Sequence, residues 1–381
     1  MSLVRVAVVR GPNLNPWELA NLPAGAEIVA IGSRRGAFAA HDLGVDPLRL
    51  ASPADALGRL PRLGQGLVRR FTGPVEHLFG LERALRGFDV AHVAELDMPY
   101  TGQALRAREA GAVRRVVATI WQNIPLPAVE NPLVARRVRA AAAGLDYAIA
   151  ITERARLHLT LAGVPEERVE VLPMGVDVER FAPAAFEPIS PGRPLRVLSV
   201  TRLVSEKGVE DLVVAVRLLA DRGVAAELML AGAGPLRGRL EAMARELGVT
   251  EQVRFEGTVP YERMPELHGR SDVFVLASAP RATWREQFGF AVVEAMASGL
   301  PVLAGASGSL DEVVGDDAQL VRSHDAPALA DALGVLAAEP GLRAERGRAN
   351  RRRAEARYDR RHVADRLLDV YRRVLELSPR R

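Results

Sequence analysis

Through almost its whole length the chain alternates short runs of Val, Ile, Leu and Ala with stretches whose apolar residues recur at helical spacing. A run that is apolar at every position, not at every second one, has to be buried on both faces. That is the situation of a strand in a parallel sheet covered by helices. The first half predicts strands at Arg5 to Val9, Glu27 to Ile31, Asp89 to Val93, Arg115 to Ile120, Tyr147 to Ile151 and Val169 to Leu172. The second half repeats the rhythm at Arg196 to Val200, Ala226 to Ala231, Val253 to Glu256, Val273 to Ala277, Pro301 to Ala304 and Ala318 to Val321. Between the two series, residues 182–194 carry four prolines, which can continue neither a helix nor a central strand.

The length of 381 residues suits two domains. The division expected is an α/β domain over 1–181, a linker over 182–194 and a second α/β domain over 195–360. A closing helix over 361–381 has Val363, Leu367, Val370, Tyr371, Val374 and Leu375 on one stripe, so it packs on something. Both domains read as Rossmann-like, doubly wound sheets facing a central cleft, where such folds bind ligands. There is no cysteine, which excludes disulfides, thiolate metal sites and cysteine nucleophiles. The first residues are too short an apolar run for a signal peptide, and no stretch is long enough to span a membrane, so the chain reads as cytoplasmic. From Arg343 onward 14 arginines face 6 acidic residues. That excess reads either as a solvated helix face or as attraction to an anionic surface.

Three strand-loop-helix junctions of the second half concentrate polar chemistry. The first is Thr201-Arg202-Leu203-Val204-Ser205-Glu206-Lys207-Gly208, and Lys207 is the only lysine among 51 cationic side chains. Arg202 can fork onto two phosphate oxygens while Lys207 supplies a compact charge, beside backbone N–H groups and a helix start that welcome an anion. The second, Gly232-Ala233-Gly234, is a weak motif alone and gains from its place in series. The third, Ala277 to Pro301, holds Glu286 in its loop and Glu294 about one turn into a helix that starts near Gly289 and stops at Gly299 and Pro301. By spacing, the two carboxylates are either surface charge or acceptors for vicinal hydroxyls.

These residues carry a resemblance. Arg202 with Lys207-Gly208, Gly232-x-Gly234, and Glu286-x7-Glu294 followed by Ala295-Met296-Ala297-Ser298-Gly299-Leu300-Pro301 resemble family 4 retaining glycosyltransferases of the GT-B fold. The likeness continues at Gly308 to Val314 and, before the linker, at Gly163-Val164-Pro165, Val171 to Asp177 and Phe181. It implies transfer of a hexosyl unit from a UDP-, GDP- or ADP-linked sugar to a sugar, polyol or lipid-linked acceptor, without metal or other cofactor. Arg202 and Lys207 would hold the diphosphate, Glu294 the ribose and Glu286 the transferred sugar. Phe288, Gly289 and Phe290 would border the sugar and phosphates, with Gly234, and Gly257 with Thr258 would border the base. The closing helix would cross back onto the first domain.

The resemblance also has gaps. Where family members carry a catalytic-site histidine after the fourth strand of the first domain, this chain has Trp121-Gln122-Asn123. Gln122 is the candidate catalytic amide there, and Trp121, Gln122 and Asn123 are candidates for the acceptor; equally, the amides cap a loop. Asn13, in a loop lacking the family's paired glycines, is a fourth acceptor candidate; equally, the asparagines of that loop stabilise a turn. His92, at the end of its strand, reads as a core histidine bonded to backbone or, less readily, as one that faces the cleft. Asp316-Asp317 reads as a surface turn, since no Asp-x-Asp motif stands near the sugar loops. The segments Arg59 to Arg62 and Leu67 to Phe71 mix basic and apolar residues, which allows peripheral contact at the inner face of the membrane. The alternative function is a nucleotide-sugar binding protein that has lost catalysis. Nucleic-acid binding through the arginines lacks interleaved aromatics and is not expected.

Overall fold

The computed structural model describes residues 3–36, 38–53, 55, 76–124, 132–183 and 193–378. The chain divides into two compact units, Met1–Gly175 with Arg360–Arg381, and Val176–Asp359. The segments 59–62 and 67–71 lie outside the described residues.

The first unit is built on β1 (Val4–Gly11), β2 (Ala26–Ser33), β3 (Leu48–Leu50), β4 (Phe88–Ala94), β5 (Val113–Ile120), β6 (Tyr147–Ala150) and β7 (Val169–Val171). They form one parallel sheet in the order β3-β2-β1-β4-β5-β6-β7. The short strand β3 was not expected. It is a half-exposed Leu-Arg-Leu at the sheet edge, too brief and too polar to show the buried-strand pattern. Alternation along β1 explains why the central strands are apolar throughout. Ala7 and Val9 face a core shared with α1 (Pro99–Glu109), α2 (Pro132–Gly144) and α3 (Glu153–Leu161), while Val6 and Val8 face the opposite side.

The second unit carries β8 (Leu195–Val200), β9 (Ala226–Ala231), β10 (Val253–Gly257), β11 (Val273–Leu276), β12 (Val302–Gly305) and β13 (Leu320–Val321). All are parallel, in the order β10-β9-β8-β11-β12-β13. Its core joins the sheet to α4 (Val209–Asp221), α5 (Arg237–Glu246) and α7 (Ala326–Ala338); α6 (Phe290–Ala297) and α8 (Pro340–Tyr358) complete the unit. In both sheets the strand sequence reverses direction beside the first strand, between β1 and β4 and between β8 and β11. These are the switch points of doubly wound folds, where loops part and leave room for a ligand.

The last helix, α9 (Arg360–Glu376), belongs to the first unit. Val363, Leu367, Val370, Tyr371 and Val374 bury against Val6, Val8, Val90 and Val117, the sheet face that α1, α2 and α3 leave open. Burial of each such side chain is worth roughly 1.5–3 kcal/mol, enough to fix the helix there.

The first boundary falls at Gly175/Val176, ahead of the prolines. The residues between pack with the second unit: Val176 N–H donates to the Tyr358 carbonyl at 2.7 Å, and Phe181 meets Tyr261 and His268 edge-on. The arginine-rich stretch is not simply a solvated face. Arg351 reaches the carbonyls of Val178, Phe181 and Ala297 at 2.7, 3.0 and 2.5 Å, and Arg353 those of Val313 and Glu312 at 3.0 and 2.7 Å. Arg343 is buried and donates to the Leu336 and Ala337 carbonyls.

Candidate functional site

At the switch point of the second unit the loops after β8 and β11 are stitched together. The Ala279 N–H donates to the Glu206 carbonyl at 2.9 Å. Gly208 ends the turn Ser205–Lys207 in the left-handed region (φ 60°), and a Cβ there would stand 2.0 Å from the Ala277 carbonyl oxygen. Only glycine permits that approach. It sets Lys207 over the β11 loop, where its Nζ lies 2.6 Å from Glu286 Oε2. The Ser278 hydroxyl donates to the same oxygen at 2.6 Å, and the Trp284 ring covers the ammonium with its centroid 4.8 Å away. The two charged side chains are only 12% and 10% exposed. Such a pair is held in place by its mutual attraction, because removing either charge strands the other in a poorly solvated site.

Arg202 does not join this cluster: it is 64% exposed and pairs with Glu206 at 3.6 Å. The Gly232-x-Gly234 turn packs on the same loop. Leu203 N–H donates to the Ala233 carbonyl at 3.0 Å, and a Cβ on Gly234 would meet the Leu203 carbonyl at 2.3 Å. These glycines therefore serve backbone packing, whatever they do for a ligand. Gly257 accepts from Gly232 N–H at 2.6 Å, and Thr258 beside it is exposed.

Gly289 caps α6 with φ 82°. Phe290 is half-buried, but the Phe288 ring is buried edge-on against Phe290 and Tyr358, so that side chain is core and only its backbone can border a ligand. Glu294 is 6% exposed, which rules out surface charge. Burial pushes its carboxyl up to about 7 against the opposing effects of a hydrogen bond with Tyr261 and the nearby charge of Arg180. Arg180 lies over the Tyr261 ring at 4.9 Å. The two glutamates of the Glu-x7-Glu motif thus sit in separate networks, one with a lysine and a serine, the other with a tyrosine.

In the first unit Asn13 is exposed on the loop after β1, and Asn15 caps the short helix Pro16–Leu19, its Oδ1 accepting from Glu18 N–H at 2.9 Å. Trp121 is half-buried and Asn123 is buried. The Gln122 Oε1 accepts from Ile124 N–H at 3.1 Å, a loop cap. Trp121 N–H donates to Glu95 Oε1 at 2.8 Å. His92 is a core histidine as expected, but its partners are side chains: Nδ1 lies 2.6 Å from the Tyr371 hydroxyl and Nε2 2.7 Å from the Thr119 hydroxyl. Burial, then the charge of Arg10, holds it well below the usual imidazole range.

Among the described residues no three His, Cys, Asp or Glu side chains gather as metal ligands, and no helix is long and apolar enough to cross a membrane. Asp316 accepts from Ala318 N–H at 3.0 Å in a local turn.

Ser278, Trp284, Tyr261 and Arg180 had no sequence motif to announce them. Trp284 had the plainest signal, an aromatic residue inside an otherwise polar loop.

Two parallel sheets of Rossmann order, with a nearly buried Lys-Glu pair at a switch point, put charged groups where such folds take ligands, and comparison gives the family. The description "Glycosyl transferases group 1" matches residues 184–353, and "Glycosyltransferase Family 4" matches residues 25–180. This chain belongs to the family 4, group 1 glycosyltransferases. It is 33% identical over 255 residues to the GDP-mannose-dependent alpha-(1-6)-phosphatidylinositol monomannoside mannosyltransferase of Mycolicibacterium smegmatis, covering 64% of this chain and 66% of that protein. With the protein of the same description from Mycobacterium tuberculosis H37Rv it shares 31% over 285 residues, 71% of this chain and 72% of that one. The crystal structure of Anabaena HepE in complex with UDP superposes with a TM-score of 0.76 at 18% identity, over 97% of this chain and all of that chain, so the fold is of the GT-B kind.

Proposed function

We propose that this protein transfers a hexosyl unit from a nucleotide-diphosphate sugar to a sugar, polyol or lipid-linked acceptor, with retention of anomeric configuration and without a metal ion. The observation that carries the reading is the Lys207–Glu286 pair at the switch point of the second unit, 2.6 Å apart and almost buried. An ammonium so placed is a fixed countercharge for a diphosphate. Breaking the bond between the anomeric carbon and the phosphate oxygen leaves negative charge on that oxygen. Lys207, with Arg202 from the same loop, lowers the energy of that transition state more than that of the ground state. Loss of one such contact costs about 3 kcal/mol of barrier. In this scheme Glu286 gives up the ammonium when the donor enters and takes up hydroxyls of the transferred sugar, while Ser278 keeps it oriented. The acceptor oxygen bonds to the anomeric carbon as the phosphate leaves, and its proton passes to the departing phosphate oxygen.

The descriptions of the mycobacterial relatives favour GDP-mannose and a phosphatidylinositol-linked acceptor, which would bring the protein to the inner face of the membrane. The test is a melting-temperature panel of UDP-, GDP- and ADP-hexoses in EDTA, on the wild type and on Lys207→Met. Stabilisation by one sugar nucleotide, abolished by the substitution, supports the reading; a flat panel at millimolar ligand overturns it. A shift without any transfer or hydrolysis of that donor makes the protein a binder and not a transferase.

A further inference from the structure

Glu95 is the first residue after β4, and β4 flanks the switch point of the first unit. Doubly wound sheets take ligands at the carboxyl ends of the strands beside that point. The second unit follows this rule with Lys207 and Glu286, on the loops after β8 and β11. In the first unit the corresponding loops follow β1 and β4.

Glu95 is built into that place at a cost. With His324 it is one of two non-glycine residues at positive φ (59°) among the described residues. Side chains with a Cβ disfavour this region, and such strain concentrates where function requires it. Its backbone is clamped, N–H to the Thr119 carbonyl at 3.1 Å and carbonyl from the Thr101 hydroxyl at 2.8 Å. The side chain is thereby carried across to the end of β5, where the carboxylate accepts the backbone N–H groups of Trp121 and Gln122. It forms no ion pair among the described residues, and Arg10, at the end of β1, is paired with Glu18 at 2.7 Å. The charged groups that act on it are the carboxylates Asp97 and Glu18, and burial with Asp97 pushes it up to about 8. A half-buried carboxylate without a cation destabilises a fold, and neither strand needs one for pairing. Two backbone donors leave lone pairs on its oxygens that a hydroxyl group can use.

We infer that Glu95 is an acceptor-binding residue of the transferase reading proposed above, its carboxyl group receiving a hydroxyl of a polyol or glycoside acceptor at the β1/β4 switch point. The full chain is compared with its Glu95→Gln and Glu95→Asp variants. One assay measures melting shifts with GDP-mannose and UDP-glucose. The other measures transfer from whichever donor stabilises the wild type to myo-inositol, D-inositol 3-phosphate and octyl α-D-mannoside. The expected result is an unchanged donor shift in both variants, with kcat/KM for the acceptor falling about tenfold or more in Glu95→Gln and less in Glu95→Asp. Unchanged transfer in both variants overturns the assignment. So does parallel loss of melting temperature, donor shift and transfer, which would make Glu95 a structural brace. Donor binding with no transfer from the wild type to any of the three hydroxylated probes overturns the acceptor class. No donor shift in the wild type overturns the transferase reading itself, a separate failure.

Discussion

Lys207 is surrounded by groups that suit an ammonium better than a guanidinium: one carboxylate oxygen at 2.6 Å and an aromatic face at 4.8 Å. A planar fork would have to choose between lying on the ring and pointing at the oxygen, whereas a tetrahedral ammonium does both. Two predictions belong at this scale. Lys207→Met alone strands Glu286 and is expected to destabilise by about 3–5 kcal/mol, while Lys207→Met with Glu286→Gln recovers most of that; urea unfolding of the single and double variants measures the coupling. Glu294, whose carboxyl is raised by burial to about 7, holds a proton in the folded state that the unfolded chain has already released. Its contribution is therefore greatest below the unfolded value of 4.5 and is lost as pH rises towards 7, on the order of 3 kcal/mol in all. Glu294→Gln is expected to make melting temperature fall less steeply with pH between those values, the remaining fall being that of Glu95, and an unchanged slope would refute the assignment.

At the scale of elements, the arginines explain themselves as terminators. Arg351 takes the Ala297 carbonyl at the end of α6, Arg343 the Leu336 and Ala337 carbonyls at the end of α7, and Arg108 the Gly144 carbonyl at the end of α2. Arg115 does the same for α9 at Val374. The last turn of each helix exposes carbonyls that have no partner within it, and a five-donor fork satisfies several at once. Arg351→Lys keeps the charge but not the fork and is expected to cost about 1–3 kcal/mol by urea unfolding, whereas Arg352→Lys, on the exposed face, is expected to cost nothing measurable. Composition alone presented this stretch as charge. What the sequence could not display is which arginines turn inward, since that depends on helix ends brought close by folding. The strands were readable for the opposite reason, because burial on both faces leaves an unbroken apolar run. The Lys207–Glu286 pair lay between these limits: the two residue types stood out, while Ser278 and Trp284 needed the fold to bring them near.

The whole molecule is interleaved, not strung in series. The second unit is one continuous segment, Val176–Asp359, whereas the first needs both Met1–Gly175 and the helix that follows the second unit. A fragment of residues 176–359 is expected to fold by itself and to keep the nucleotide-dependent melting shift. A fragment of residues 1–175 is expected to bind an apolar dye and to aggregate, until a peptide of residues 360–378 is added. Tyr371 gives that docking a polar latch through its 2.6 Å contact with His92, and Tyr371→Phe should weaken the peptide's rescue by about 1–3 kcal/mol. During synthesis the order of emergence is then the reverse of the order of completion. The half of the protein translated first waits with one face of its sheet uncovered until the residues after Asp359 have left the ribosome. A late nonsense mutation that spares the Lys207 site entirely would therefore be read by the cell as a defect in the amino-terminal half, and would be cleared as one.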